Sequence, residues 1–171
     1  DDIVMQLRSG KADFSGKGSA KFNYRVQVDS LSFAFNQIAH REDNWTDGLA
    51  YMKAINLRIM QESLKLLETC KGSMSLKSYQ LLKLDTESWP REIIASTLNS
   101  VYTEIDVVKY LKENAEFFSG INVDYERPDH SVRYTNYLFS MEMLMSKIKP
   151  AVRDKSVEER NNLVFRNIVQ K

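Results

Sequence analysis

The stretch that decides the fold runs from His130 to Ile148 and reads HSVRYTNYLFSMEMLMSKI. Its apolar and aromatic residues recur every three or four positions, which is the spacing of one face of an α-helix. Pro150 follows two residues later and cannot continue a helix. The sequence therefore predicts a helix over about 130–148. The residues on its main apolar side are Tyr134, Tyr137, Leu138, Met141, Leu144, Met145 and Ile148.

The same helix also carries apolar residues on its other side. Phe139 and Met143 lie four positions apart, opposite the main apolar side. A helix that is apolar on two sides is either central in its fold or covered by another chain. A dense set of methionines here adds flexible side chains that suit packing at partner surfaces. We favour a central core helix and keep an exposed docking face as the alternative, in which Phe139 and Met143 bind protein.

Helical patterns also run through most of the preceding sequence. Asn44 is placed as an N-cap, apolar residues then recur at helical spacing as far as Cys70, and Gly72 marks the end. Further helices are predicted over about 75–84, from the Trp-Pro pair at 89–90, over about 105–118, and from a capping box at 156–159. The fold class is therefore mainly α: a single bundle-like domain of five to six helices with a short N-terminal β element.

The N-terminal region differs from the rest of the chain. Residues 9–20 hold three of the six glycines and show no apolar periodicity, so residues 1–20 are predicted to form a flexible basic arm. Residues 21–28 alternate polar and apolar side chains, which is typical of a half-buried strand. Such a strand needs a partner, either residues 3–7 or residues 31–35. The predicted organisation is an arm over 1–20 and a helical domain over 21–171.

The net charge of +1 is unevenly distributed along the chain. Basic residues exceed acidic ones near both ends, and acidic residues exceed basic ones in the middle. Basic side chains among aromatic ones suit single-stranded nucleic acid, because phosphate contacts supply affinity and base stacking adds to it. The alternative function is therefore a nucleocapsid-like or accessory nucleic-acid-binding protein. Its binding residues would be Arg8, Lys11, Lys17, Lys21, Arg25, Lys147, Lys149, Arg153 and Lys155.

Several groups of residues partly match catalytic or metal-binding motifs, but none of them completes a motif. The glycines around Lys17 lack the spacing of a phosphate-binding loop, and Cys70 is the only cysteine. The segment 124–130 contains residue types that ligate metals, namely Asp124, Glu126, Asp129 and His130. Pro128 lies in this segment, which lacks the glycine of a calcium loop, so a metal-dependent enzyme is only a second alternative. We predict no catalytic residue, no metal site and no cofactor.

Composition and motif content together limit the classes of protein to which this chain can belong. Apolar residues make up 43% of the chain and charged residues 27%, as in ordinary folded soluble domains. No apolar run reaches the ~20 residues of a membrane span, and a lone cysteine fits a reducing, intracellular compartment. We therefore predict a cytoplasmic or otherwise intracellular, non-enzymatic protein with no membrane contact. It would bind another protein or copies of itself, with nucleic acid as the alternative partner.

Overall fold

The computed structural model describes residues 3–8, 11–39, 48–101, 104–121 and 130–148. Over these residues the fold is mainly helical with a short antiparallel pair of strands near the N-terminus, which confirms the predicted fold class. None of the helices in these ranges combines the length and apolar character that crossing a lipid bilayer requires. The elements in chain order are β1 (Val4–Arg8), β2 (Lys11–Ser15), α1 (Ala20–Ala39), α2 (Gly48–Cys70), α3 (Leu76–Val101), α4 (Glu104–Glu113), α5 (Ala115–Ser119) and α6 (Val132–Ile148).

The chain divides into two compact units, Asp1–Thr86 and Glu87–Lys171, and the division falls inside α3. Pro90 also lies inside α3, so the prediction that a separate helix begins at the Trp-Pro pair is wrong. Proline has no N–H to donate to the carbonyl of Thr86, four residues earlier, and its ring crowds that carbonyl. The Pro90 ring is fully buried, and this burial offsets the lost hydrogen bond. The boundary between the units, after Thr86, therefore lies at the carbonyl that Pro90 cannot bond.

The N-terminal strands form a hairpin that is anchored to the first helix. Met5 lies opposite Phe14 in the antiparallel register. Asn23 of α1 accepts a hydrogen bond from the Phe14 N–H (2.9 Å) and donates one to the Phe14 carbonyl (2.7 Å). Gly16 and Gly18 have positive φ values of 94° and 88°, which suits glycine in the turn between β2 and α1. Hairpin and turn together occupy most of residues 1–20, which were predicted to form a flexible basic arm.

The strand predicted over 21–28 is wrong, because these residues form the first turns of α1. Tyr24 and Val28 are both buried, and they lie four positions apart. That spacing belongs to one face of a helix as much as to an alternating strand. Leu31 and Phe35 continue the same face, and both are partly buried. Residues 21–28 fit both the period of two of a strand and the spacing of four of a helix face. The helical spacing that continues through Leu31 and Phe35 distinguishes the two.

The first unit is built on the packing of α1 against α2 and β2. The guanidinium of Arg58 in α2 lies 5.0 Å from the centre of the Phe35 ring of α1. Half of the apolar stripe predicted on α2 is in the core, since Leu49, Ile59 and Leu67 are buried, whereas the other three residues, Met52, Leu66 and Cys70, are only partly buried. The buried apolar residues of this unit are Tyr24, Val28, Leu49, Ile59, Leu67, Tyr79, Leu82 and Leu84.

The second unit contains the end of α3 together with α4, α5 and α6, and α4 packs against α6. The predicted helix over 130–148 is confirmed, and the Ser131 hydroxyl accepts a hydrogen bond from the Tyr134 N–H as its N-cap. The helix predicted over 105–118 is interrupted at Asn114, which separates α4 from α5. The buried apolar residues of this unit are Ile94, Ala95, Leu98, Val107, Phe118, Ile121, Tyr134, Tyr137, Met141, Leu144 and Met145.

Several predicted features lie outside the described residues. They are the cap at Asn44, most of the 124–130 segment including Asp124, Glu126 and Asp129, and the terminal helix expected after Ser156. The basic residues Lys149, Arg153 and Lys155 also lie outside them.

Candidate protein-interaction surfaces

Three exposed apolar residues lie on one side of α6, namely Val132, Phe139 and Met143, and we call them the α6 stripe. Val132 is 67% exposed, Phe139 62% and Met143 47%. They are spaced by seven and then four positions, so they lie within about 40° of one another around the helix. Sequence analysis placed Phe139 and Met143 opposite the main apolar side, and the structure places both at the surface. Val132 was missed, although its spacing of seven from Phe139 was a readable signal.

The opposite side of α6 is held by buried hydrogen bonds. The Tyr137 hydroxyl donates to the Phe118 carbonyl (2.7 Å), and the Asn99 side chain donates to the Ser140 carbonyl (2.7 Å). Burial raises the pKa of Tyr137 well above its ordinary value, so the hydroxyl keeps the proton that it donates. These bonds fix the rotation of α6 about its own axis. The α6 stripe is therefore held toward solvent by the packing of the other side.

A side-chain cluster at the beginning of α6 fixes that end of the helix to α3. The Glu92 carboxylate accepts hydrogen bonds from Arg133 (2.7 Å) and from the Asn136 amide (3.0 Å). The Arg133 guanidinium lies 5.0 Å from the centre of the Trp89 ring. The Glu92 side chain is only 14% exposed, so solvent screens this ion pair less than it screens a pair at the open surface. The charges of Arg133 and Glu92 are therefore paired with each other within the second unit.

Arg91 is a buried cation that joins α3 to α5. It donates to the carbonyls of Phe117 (2.6 Å) and Glu87 (2.5 Å), and its guanidinium lies 5.3 Å from the centre of the Phe117 ring. Burial is the largest cause of the lowered pKa of Arg91. Gly120 lies beside it, and a Cβ there would be 3.0 Å from the guanidinium. Because its donors bond backbone carbonyls, Arg91 has a structural role.

The hairpin presents a second apolar surface, which we call the hairpin face. Met5 is 57% exposed and Leu7 71%. They lie opposite Phe14 and Ala12, so all four side chains project from one face of the two-stranded sheet. The Phe14 ring stacks on Phe22 of α1 with a centroid distance of 5.2 Å. Part of this face is thus packed on the helix, while Met5 and Leu7 remain largely exposed.

The basic residues predicted to bind nucleic acid have different environments. Lys17 is exposed in the turn before α1, and the Lys21 ammonium lies 5.1 Å from the centre of the Phe22 ring. Arg25 forms an ion pair with Asp85, whose side chain is buried. Arg8 and Lys11 lie in the strands and Lys147 in α6, but their side chains are outside the described part of the structure. The structure thus leaves Lys17 exposed, places Lys21 beside Phe22, and pairs Arg25, whose side chain is 56% exposed, with Asp85.

A buried hydroxyl pair lies next to that ion pair. The Thr86 hydroxyl donates its single proton to the Leu82 carbonyl (2.7 Å), so Tyr24 must be the donor in its 2.6 Å bond to Thr86. Burial raises the pKa of Tyr24, which keeps this donor protonated. Arg25 and Tyr24 therefore both use polar atoms to attach α1 to α3 within the first unit.

The described residues contain no group of three or more His, Cys, Asp or Glu side chains placed to hold a metal ion. His130 is exposed and Cys70 is partly buried. The predictions of no catalytic residue, metal or cofactor stay predictions. No known protein family, curated protein or solved structure matches this chain.

Proposed function

We propose that this chain is a non-enzymatic, intracellular binding protein that engages another protein or a second copy of itself. The observation that carries the proposal is the α6 stripe. Single exposed apolar residues are normal on protein surfaces, whereas an aligned set marks an interaction site. Three large side chains along α6 form such a set.

The geometry of the α6 stripe suits helix packing against a partner. Residues spaced by four and seven positions along a helix are the anchors that such a helix inserts into an apolar groove or a facing helix. Burying the exposed part of Phe139 alone contributes on the order of 1–2 kcal/mol. The backbone of the stripe needs no further ordering, because the bonds made by Tyr137 and Asn99 already fix α6, so the entropy cost of binding is limited to the side chains.

The test replaces the two central anchors of the α6 stripe. We expect Phe139→Gln combined with Met143→Gln to lower concentration-dependent association in sedimentation velocity from about 10 μM to 1 mM. The matched control is Leu76→Gln, because Leu76 is 67% exposed but starts a different helix. A photo-crosslinking residue at position 139 should form products in cells that the same residue at position 76 does not. A chain that is monomeric throughout, with equal products from both positions, would refute the proposal.

Single-stranded nucleic acid binding is the second candidate, supported by the exposed Lys17 and by Lys21, whose ammonium lies beside the Phe22 ring. Binding of a labelled oligonucleotide of about 20 nucleotides should then fall steeply with salt, and Lys17→Gln with Lys21→Gln should weaken it. Arg25→Gln is the internal control, because Asp85 already engages that guanidinium. No binding by the wild-type chain at low salt would remove this candidate.

A further inference from the structure

The exposed positions of α6 are all uncharged. Among the described side chains of this helix, from position 132 to position 146, the exposed ones are Val132, Thr135, Asn136, Phe139 and Met143. The helix α4 in the same unit is the contrast, because its exposed described residues are all charged, namely Asp106, Lys109, Lys112 and Glu113. A solvated helix face carries charged and polar residues, as α4 does. The exposed face of α6 is instead typical of a surface that another helix covers.

These positions have the spacing that helix packing requires. Positions 132, 135, 136 and 139 are separated by three, four and seven, and four residues with this spacing surround a hole on a helix surface. In knobs-into-holes packing, a large side chain of the facing helix fills such a hole. The Asn136 amide donates to Glu92 (3.0 Å), which holds that side of the hole in place. The exposed Met143, four positions beyond the hole, is itself a flexible apolar knob.

The hole and the knob of α6 fit each other in an antiparallel pair of helices. When Phe139 lies level with Phe139 of a second copy, position 143 of one copy lies level with position 135 of the other, because both are four positions from 139. Met143 of each copy then faces the hole at 132–139 of the other, and the two-fold axis produces this contact twice. Its sulfur also adjoins the Phe139 ring at the end of the hole, which is a favourable contact for a thioether.

The charge distribution favours a second copy over a different protein. Residues next to a two-fold axis meet their own copies, so a charged residue there would face a like charge. An uncharged centre satisfies this restriction, whereas interfaces between different proteins use opposite charges to select the partner. The nearest described charges, Arg133 and Glu142, lie to the sides of the α6 stripe and are partly buried, and Arg133 is paired with Glu92 at 2.7 Å. Antiparallel packing also brings the ends of the two helix dipoles together with opposite sign.

We infer that the α6 stripe binds the α6 stripe of a second copy of this chain, with the two helices antiparallel and Phe139 at the two-fold axis. This inference rests on the proposed function, because it names the partner of the same surface. A single pair of helices buries less than the ~1,600 Å² of a standard stable interface, so the dimer is expected to be weak.

The first test is a register-specific cross-link between two variants in a Cys70→Ser background, at a concentration at which that background dimerises. Thr135→Cys and Met143→Cys lie level across the pair, so a mixture of the two should be linked by a short bifunctional thiol reagent. Each variant alone is the matched control, because identical positions then lie about 12 Å apart along the helix axis. Intact mass measurement identifies the mixed product. Linking of either variant alone as efficient as that of the mixture, or no linking at all, overturns the inference.

The second test introduces charges at the two level positions. Met143→Glu places a carboxylate against the hole of the second copy and should weaken the dimer about tenfold or more. Adding Thr135→Lys supplies an ammonium level with each carboxylate and should recover at least about threefold of that loss. The two positions are eight apart, too far to pair within one helix, so recovery reports contact between copies. Thr135→Gln added to Met143→Glu is the neutral control, and equal recovery by lysine and glutamine contradicts the register.

The outcomes separate this inference from the proposed function. A wild-type chain that stays monomeric to about 1 mM overturns pairing through α6. If a cross-linker at position 139 then still captures proteins that position 76 does not, the proposed function stands with a different protein as the partner. Association that is lost in Phe139→Gln but links Thr135→Cys to itself indicates parallel helices and overturns the antiparallel pair. Linking of the mixture together with recovery by Thr135→Lys supports both the proposed function and this inference.

Discussion

Asn23→Ala tests whether a single side chain anchors the hairpin to α1. The substitution removes the bond donated by the Phe14 N–H and the bond accepted by the Phe14 carbonyl, at 2.9 and 2.7 Å. Both groups are then returned to water at the edge of β2. No other change in α1 is expected, because alanine is the best helix former.

The magnitude follows from those two bonds. Each partly buried hydrogen bond contributes about 0.5–1.5 kcal/mol, so the hairpin loses about 2 kcal/mol of local stability. Because the Phe14 amide also loses its own acceptor, its hydrogen exchange should be at least about 30-fold faster. The free energy of unfolding of the whole unit falls less, by about 1.4 kcal/mol, because alanine stabilises α1 by roughly 0.6 kcal/mol relative to asparagine.

The assay is amide hydrogen exchange resolved at Phe14, with chemical denaturation as the global measurement. Asn56→Ala is the control, because the Asn56 side-chain amide donates to the Met52 carbonyl of its own helix (2.8 Å). We expect it to leave exchange at Phe14 unchanged. If Phe14 exchanges at the wild-type rate in Asn23→Ala, or equally fast in both variants, the anchoring role of Asn23 is wrong.

Three further outcomes are expected from the two cores. Gly120→Ala should lower the free energy of unfolding by about 1–2 kcal/mol in urea, since its Cβ would crowd Arg91 at 3.0 Å, whereas Gly72→Ala meets nothing within 4 Å. Ser63→Ala should raise it by about 0.5–1 kcal/mol, because the buried Ser63 hydroxyl has no hydrogen-bond partner among the described atoms. Burial raises the pKa of Tyr137, so the stability that its protonated hydroxyl contributes is complete below about pH 10 and is lost as pH rises through the folded-state pKa. The free energies of unfolding of the wild type and of Tyr137→Phe, compared at about pH 9 and about pH 11, measure this loss.

The helical part of the fold was predictable where the apolar spacing is long. Over 130–148 the spacing predicted a helix, and the structure has one from Val132 to Ile148. It also placed Phe139 and Met143 off the main face, because position around a helix follows from residue number alone. Whether that second side faces solvent depends on which elements pack against the helix, and the residue spacing within one helix carries no information about them. The favoured interpretation of α6 as central therefore does not describe Phe139, which is 62% exposed.

The N-terminal elements were harder to predict for a physical reason. Eight alternating residues carry both a period of two and a spacing of four, and Tyr24 with Val28 satisfies either. The hairpin itself has a local signal, since a Ser-Gly pair at positions 9–10 separates Met5-Gln6-Leu7 from Ala12-Asp13-Phe14, each with a polar residue between two apolar ones. The role of Asn23 had no local signal, because its partner lies nine residues away and on a different element.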